Sequence, residues 1–340
     1  LIADFINKWY GVVENWWLSN SIPIIWLEIV KAIVLGVVLA LIVVIAVLAL
    51  TYIERKVAGH FQSRMGPMRT GWHGLVQPIA DAIKLIQKED IVAKKADYWV
   101  FTLAPFVVFV PIMMILIVIP FGDRMIVQDL NIGILYIFAV SGIGVIAILM
   151  GGWASNNKWS LLGAMRSVSQ MVSYELPLVL SILGVVILAG TMSMGGIVEA
   201  QRKLWFIVYQ PIGFLIYLFA ATAEVNRVPF DIPEAEQEIV AGYNTEYSGM
   251  KFAMFYLSEY ANMFIVSIIG ATLFLGGWNG PLIPSPVWLF IKTSAMVFIF
   301  LWFRWTFPRF RVDQLMDFGW KLLLPLAFIN LLVTALIVIL

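Results

Sequence analysis

Eight stretches of this chain, roughly 27–50, 99–120, 133–152, 174–191, 205–223, 252–276, 287–303 and 321–340, carry few charges and are each near the length that crosses a bilayer. A span needs about 20 mostly apolar residues, and backbone inside lipid must satisfy its own hydrogen bonds. Such runs are too long for strands. The expected fold is therefore all-α: a polytopic membrane protein of about eight transmembrane helices, a single transmembrane domain over residues 1–340. Composition agrees. Of 340 residues, 61% are hydrophobic and 13% charged, against roughly 25% charged in soluble domains. A soluble fold of this size leaves more exterior than so few polar groups can wet.

The polar inventory excludes much chemistry. With 22 Lys+Arg against 21 Asp+Glu the chain lacks the basic excess of a nucleic-acid binder. It has no Cys, which rules out thiolate-held iron–sulfur clusters, Cys-ligated zinc, thiol catalysis and internal disulfides. Its two His, His60 and His73, share one polar stretch, which speaks against a haem held between spans. Any redox centre must belong to another subunit or a diffusible substrate. Carboxylates, guanidinia, amines and Tyr remain.

Where those groups fall sets the topology. With eight spans both termini share one side. If that side is outside, the inward stretches are 51–98, 153–173, 224–251 and 304–321, and they hold most of the Lys and Arg. The excess of basic residues on cytoplasmic loops then places both termini in the periplasm or its equivalent. Trp9, Trp16, Trp17 and Trp26 mark 1–26 as an interfacial segment, not a signal peptide. Most acids also lie on or near the inward face, although acids contribute little to topology. No fixed-period repeat is visible, and Gly-Gly-Trp at 151–153 and 276–278 lacks phosphate-loop spacing.

Each inward stretch poses its own question. In the first, Leu75, Ile79, Ala82, Ile83 and Ile86 recur at helical spacing over 74–88 while Asp81, Lys84 and Lys88 point elsewhere, the pattern of an amphipathic helix in the interface plane. It either anchors the protein to anionic lipid or frames the path of a lipid-soluble ligand. In the second, Tyr174, Glu175 and Pro177 open the fourth span, so Glu175 either favours that helix N-terminus or is a buried acid. In the third, Glu224, Asp231, Glu234, Glu236, Glu238 and Glu246 crowd together with Arg227 and Lys251 as the only cations. Interleaved apolar residues suggest packing, and packed acids repel, so some should bind protons near neutral pH. Glu259 lies inside the sixth span, where an acid is a functional candidate by default; structural ion pairing is the other explanation. In the last, Arg304, Arg309 and Arg311 alternate with aromatics, as an interface belt or a docking surface. Glu175, Glu224 and Glu259 near one acidic loop form a chain that could pass protons if water links them.

At these motifs the chain resembles a known family. ERKVAGHFQSRMGP (54–67), YELP (174–177), NRVPFDIPEAEQEIVAGYNTEYSGMKFAMFYLSEY (226–260) and FRWTFPRFRVDQLM (303–316) are similar to the membrane component at the foot of respiratory complex I, the family shared by bacterial and mitochondrial NADH:quinone oxidoreductases. The likeness covers about residues 28–335. One departure is Val225, where many relatives carry Thr or Cys. The resemblance implies the membrane-side part of a quinone chamber, beneath soluble subunits that hold the last iron–sulfur cluster, in a bacterial inner-membrane complex with FMN, NADH and iron–sulfur clusters bound elsewhere. It implies as partners the soluble quinone-site and iron–sulfur subunits, small membrane subunits and antiporter-like subunits. By similarity Arg55, Arg64, Asp81 and Arg227 line or support the quinone path. Gly163 and Arg166, with Arg304, Arg309 and Arg311, face or dock the soluble arm. Glu175, Glu224, Asp231, Glu234, Glu236, Glu238, Glu246 and Glu259 form the acidic path coupling quinone reduction to proton translocation. The chain itself is expected to bind no cofactor. Other readings are a stand-alone proton-coupled transporter, which normally shows inverted halves that are not evident here; a structural anchor; and the related membrane anchor of a hydrogenase or ferredoxin:plastoquinone complex.

Overall fold

A computed structural model describes residues 24–123, 125–232 and 241–340. Among them, seven helices are long and apolar enough to cross a membrane, and a shorter apolar helix makes an eighth. The described residues contain no strand. The chain is a multi-pass helical membrane protein. Glu234, Glu236 and Glu238 lie outside the described residues, as does most of the 1–26 segment.

Helix α1 (Ile24–Phe61) has 38 residues, about 57 Å at 1.5 Å per residue. That is well beyond the roughly 30 Å of a hydrocarbon core. Residues 51–61 contain no Pro, so α1 runs on past the expected end at 50 and carries Glu54, Arg55 and Lys56. The chain then folds back onto it. A Cβ on Gly59 would lie 2.8 Å from the backbone nitrogen of Gly66, so only glycine permits this approach. Helix α2 (Gln77–Gln87) follows, with a Pro in its first turn, where the missing N–H costs no helical bond. It is the expected amphipathic helix, and Ile79, Ile83 and Ile86 are exposed.

Helices α3 (Tyr98–Leu116) and α4 (Gly133–Ala154) match the second and third expected spans. Helix α5 (Lys158–Ala189) does not start at Tyr174. Asn157 caps it by accepting from the Trp159 N–H at 3.0 Å, and Gly190 ends it in the left-handed region at φ 68°. Tyr174, Glu175 and Pro177 therefore sit in the middle of a 32-residue helix, and Glu175 gains nothing from a helix N-terminus. An internal Pro is tolerated because packed neighbours re-satisfy freed backbone groups. Here Tyr174 is fully buried and donates to the Leu315 carbonyl at 2.8 Å.

After a short α6 (Met194–Ala200) the expected span 205–223 is broken. A helical turn over Phe206–Tyr209 stops at Gln210, and α7 starts at Pro211 and ends at Glu224. The Pro211 nitrogen cannot donate, so the ladder restarts there. Buried Gln210 spans the break by donating to the Thr334 hydroxyl at 2.8 Å. At 14 residues, α7 is about 21 Å long, short of a full crossing. Helix α8 (Gly249–Phe274) and α9 (Ser285–Thr306) follow. Helix α10 runs over Val312–Ile339 with a wider π turn at Phe318–Leu323, just before the break that Pro325 imposes on the ladder. Most of the inward stretch 304–321 is thus helical. The faces of α1 and α10 that carry Ile33, Ile45, Leu332 and Leu336 are exposed, as suits helices bordering lipid or another membrane protein.

Candidate functional site

At one end of the bundle, α1, α7, α8 and α9 meet at one group of charges. Arg227 is the link. Helix α7 ends with the Val225 N–H on the Ala221 carbonyl, and Asn226 turns the chain at φ 55°. The Gln170 side-chain amide of α5 then grips the turn, donating at 2.7 Å to the carbonyls of Ala223 and Phe230 and reaching the Asn226 side-chain oxygen at 3.2 Å. This hold points the Arg227 side chain inward, where it is 4% exposed.

Its guanidinium lies between two carboxylates. Nη1 is 3.3 Å from each Glu54 oxygen on α1, and Nη2 is 3.0 Å from Glu259 Oε1 on α8. Arg304 of α9 closes on Glu54 from the other side. The Arg227 guanidinium carbon also stands 4.4 Å from the Tyr260 ring centroid, and Tyr256 donates to the Tyr260 hydroxyl at 3.1 Å. Burial works against the charge on Arg227, but Glu259 and Glu54 outweigh it and hold its proton affinity well above that of ordinary arginine. Two acids and two bases balance here, as burial of charge requires.

A second feature lies beside it. Glu224 borders a cavity with Ser141, Tyr217 and Asn262 in an otherwise apolar lining. The cavity offers about 40 Å³ to the centres of water molecules, and one water needs roughly 10–15 Å³ by that measure. Glu224 Oε2 is buried and has no hydrogen-bond partner among the described residues. Glu175 lies within electrostatic range of it. The sequence expected Glu175, Glu224 and Glu259 to form one chain. The structure leaves Glu175 within electrostatic range of Glu224 and assigns Glu259 to the Arg227 cluster.

Asp231 lines one small polar pocket with Arg227, Glu259 and Arg304, and the remaining expected residues make contacts of their own. Asp231 takes an ion pair from Arg309 at 2.8 Å. Arg55 meets Asp81 at 2.5 Å, and Gln77 donates to the same carboxylate at 3.0 Å, tying α2 to α1. Arg64 is exposed and donates to Gln62 at 2.6 Å. Glu246 accepts from the Asn157 amide at 2.6 Å, which joins the third inward stretch to the α5 cap. Gly163 is buried, and a Cβ there would come within 2.6 Å of Gly242 Cα, so this position is a close helix–loop approach. Arg166 is partly buried. Of the last three arginines, Arg304 and Arg309 turn inward to acids, and Arg311 faces out, pairing with Asp313 at 2.7 Å.

Glu54, Tyr256, Tyr260 and Gln170 were not among the expected site residues. Glu54 had a signal, an acid between an apolar span and Arg55–Lys56. The tyrosines had one in their spacing of four around Glu259, which stacks them on one helix face. Gln170 had none, because its partners are backbone groups more than fifty positions away.

Comparison with known proteins gives a consistent picture. A family model described as NADH dehydrogenase matches residues 33–335. The chain is 60% identical over 294 residues to the H subunit of NADH-quinone oxidoreductase from Dehalococcoides mccartyi strain CBDB1, covering 86% of this chain and 83% of that one. It is 55% identical to the H subunit from Bacillus mycoides over 84% of this chain and 87% of that one, and 45% identical to the H 2 subunit from Rhizobium etli over 97% of each.

Proposed function

The chain belongs to the NADH dehydrogenase family, together with the H subunits of NADH-quinone oxidoreductase, and from that premise we propose that its inner end forms the membrane-side wall of a quinone chamber and couples quinone reduction to proton translocation. In this reading the membrane is a bacterial inner membrane, with the inner end cytoplasmic and both termini periplasmic. NADH, FMN and iron–sulfur clusters belong to soluble partner subunits. Small and antiporter-like membrane subunits lie alongside. In this reading the electrons stay in the soluble subunits, and without Cys this chain cannot hold a thiolate-ligated cluster.

The observation that carries the proposal is the buried guanidinium of Arg227, held between Glu54 and Glu259 on two different helices. Reduction of a quinone nearby creates negative charge until protons arrive. Such a charge acts strongly across a low-dielectric wall and shifts the balance among the four charged groups. Arg227 and Glu224 flank one turn of chain, so a shift in the guanidinium reaches the Glu224 cavity directly. Water in that cavity would let the carboxyl exchange its proton, with Glu175 as the next group. Glu234, Glu236, Glu238 and Glu246 would extend the path along the third inward stretch.

The test is Glu259→Gln in the assembled complex in proteoliposomes. Glutamine keeps the shape and removes the charge that faces Arg227. Quinone-dependent NADH oxidation and proton uptake should fall together by about tenfold or more, the equivalent of about 1.4 kcal/mol, while NADH oxidation by a hydrophilic acceptor that bypasses the quinone stays at wild type. Wild-type quinone reduction and pumping in an assembled variant would remove the cluster from the mechanism.

A further inference from the structure

A lysine lies buried in α9 at the end of the bundle away from the charge cluster. Lys292 stands about two turns into that helix from Ser285, and it is 5% exposed. Among the described residues its partners are carbonyls and rings rather than acids. Its ammonium donates to the Gly277 carbonyl at 2.9 Å and to the Asn279 carbonyl at 2.6 Å. It stands 4.6 Å from the Trp205 ring and 5.7 Å from the Trp288 ring. Carbonyl oxygens and indole faces hold a cation. They explain how the charge is tolerated, but not why a charge stands where an apolar side chain would pack. An ionisable group inside a span is a functional candidate by default, and the charge cluster makes no use of this one.

Its partners place Lys292 at the end of the Glu224 cavity. That cavity runs along α8 from Asn262 to Leu273, about 16 Å of helix, and Met194 of α6 lines it as well. Just past Leu273 and Met194 the fold closes. The Asn279 side-chain amide donates to the Val198 carbonyl at 2.6 Å, and the Gln201 amide donates to the Thr272 carbonyl at 2.9 Å. The Gly277 N–H donates to the Ala271 carbonyl at 2.9 Å. A Cβ on Gly277 would lie 2.8 Å from the Val198 side chain. Both carbonyls that hold Lys292 belong to this closure. The cavity therefore has a carboxyl group on its wall near one end and a cation in the closure at the other.

We propose that Lys292 is an electrostatic barrier that closes the Glu224 cavity to protons at the end away from the charge cluster, so that Glu224 exchanges protons from its own end alone. A fixed positive charge in a low-dielectric wall opposes a proton on a water path far more than the same charge does in bulk water. Lys292 touches neither Glu224 nor any of the four charged groups of the cluster, and it acts through its field. The inference rests on the proton-exchange role proposed for Glu224.

The experiment uses the assembled complex in proteoliposomes without NADH or quinone. A pH step is applied outside, and a dye inside reads proton entry. Lys292→Met keeps an unbranched side chain and removes the charge. Proton entry should rise about tenfold over wild type, the equivalent of about 1.4 kcal/mol. NADH oxidation in the presence of an uncoupler should stay within about twofold. Lys292→Arg, which keeps the cation, should be as tight as wild type. Adding Glu224→Gln to Lys292→Met should remove the leak, because the path then lacks its proton acceptor, whereas a loosened bundle would leak with or without Glu224. A tight Lys292→Met vesicle, a leak in Lys292→Arg equal to that in Lys292→Met, or a leak that persists in the double variant would overturn the barrier. If Lys292→Met does not assemble, Lys292→Gln, which keeps a donor and loses the charge, decides it in the same way. Glu224→Gln alone separates the two readings. Full proton uptake per NADH in that variant sinks the role of Glu224 and the barrier with it, whereas reduced uptake there beside a tight Lys292→Met sinks the barrier alone.

Discussion

Glu259 and Glu224 are the same residue type at the same end of one bundle, yet their surroundings are opposite. Glu259 meets Arg227 at 3.0 Å within a group of two acids and two arginines. Glu224 has a buried oxygen with no hydrogen-bond partner among the described residues and borders a cavity large enough for water. The contrast separates two uses of a carboxylate in a membrane protein. A saturated one fixes geometry, because moving it leaves another buried charge uncompensated. One that faces water-sized space is at liberty to exchange a proton. In the proposed function the first kind senses the charge of the substrate and the second responds to it.

The sharpest way to break the contrast is to remove the cation that saturates the cluster. Arg227→Met leaves Glu54 and Glu259 buried without their shared partner, and Arg304 reaches only Glu54. Breaking a buried pair by deleting one member costs about 3–5 kcal/mol. The variant should fail to assemble or should lose a large part of its denaturation resistance, as read by native electrophoresis and thermal melting of the complex. Adding Glu259→Gln to it should recover much of the loss, because Glu54 keeps Arg304 and the acid that lost its arginine is neutral. A stable single variant would show that water reaches these carboxylates and that the cluster is less closed than its exposures imply.

A smaller effect is expected where packing rather than charge does the holding. At Gly163 a methyl group would come within 2.6 Å of Gly242 Cα, 2.9 Å of the Gly242 carbonyl carbon and 3.0 Å of the Tyr243 nitrogen. All three obstacles are backbone, so the strain cannot be relieved by rotating a side chain. Gly163→Ala should cost about 1–3 kcal/mol, the usual range for over-packing. It should also loosen the Asn157–Glu246 contact nearby. Hydrogen exchange over 157–163 and 242–247 should rise together, whereas a change confined to the helix would show that the loop adapts independently.

How much of this was legible in the sequence depends on the range of the forces involved. The spans were readable because bilayer thickness fixes their length, and α2 was readable from its spacing of Ile79, Ile83 and Ile86. The break at Gln210–Pro211 and the long run of α5 through Pro177 were misread for one reason. A proline marks a weak point in the ladder, and tertiary neighbours decide whether the helix stops there: Tyr174 anchors α5 on Leu315, while Gln210 is satisfied by Thr334 on α10. The acids of the site were visible as a class. Their partners were not, because Glu54 and Arg227 are 173 positions apart, and Glu54 and Arg304 are 250 apart. The last inward stretch reads as three equivalent arginines, yet two are spent on Glu54 and Asp231 inside the fold.

The least perturbing substitution bears most directly on the second carboxylate. Glu224→Gln retains the side-chain volume, and Oε2 has no hydrogen-bond partner among the described residues to lose. The amide can be hydrated by the same cavity waters, so stability should change by about 0.5 kcal/mol or less, the usual range for a substitution that breaks no named contact. The thermal midpoint of the complex should therefore match wild type. Proton uptake per NADH oxidised should nevertheless drop, because an amide cannot carry the proton that a carboxyl can. Arg227→Met and Glu224→Gln thus test the two halves of the comparison with opposite signatures. The first is a loss of structure, and the second is a loss of coupling in an intact structure. If Glu224→Gln instead lowered the melting point as Arg227→Met is expected to, Glu224 would be a structural partner after all, and the cavity beside it would have no part in moving protons.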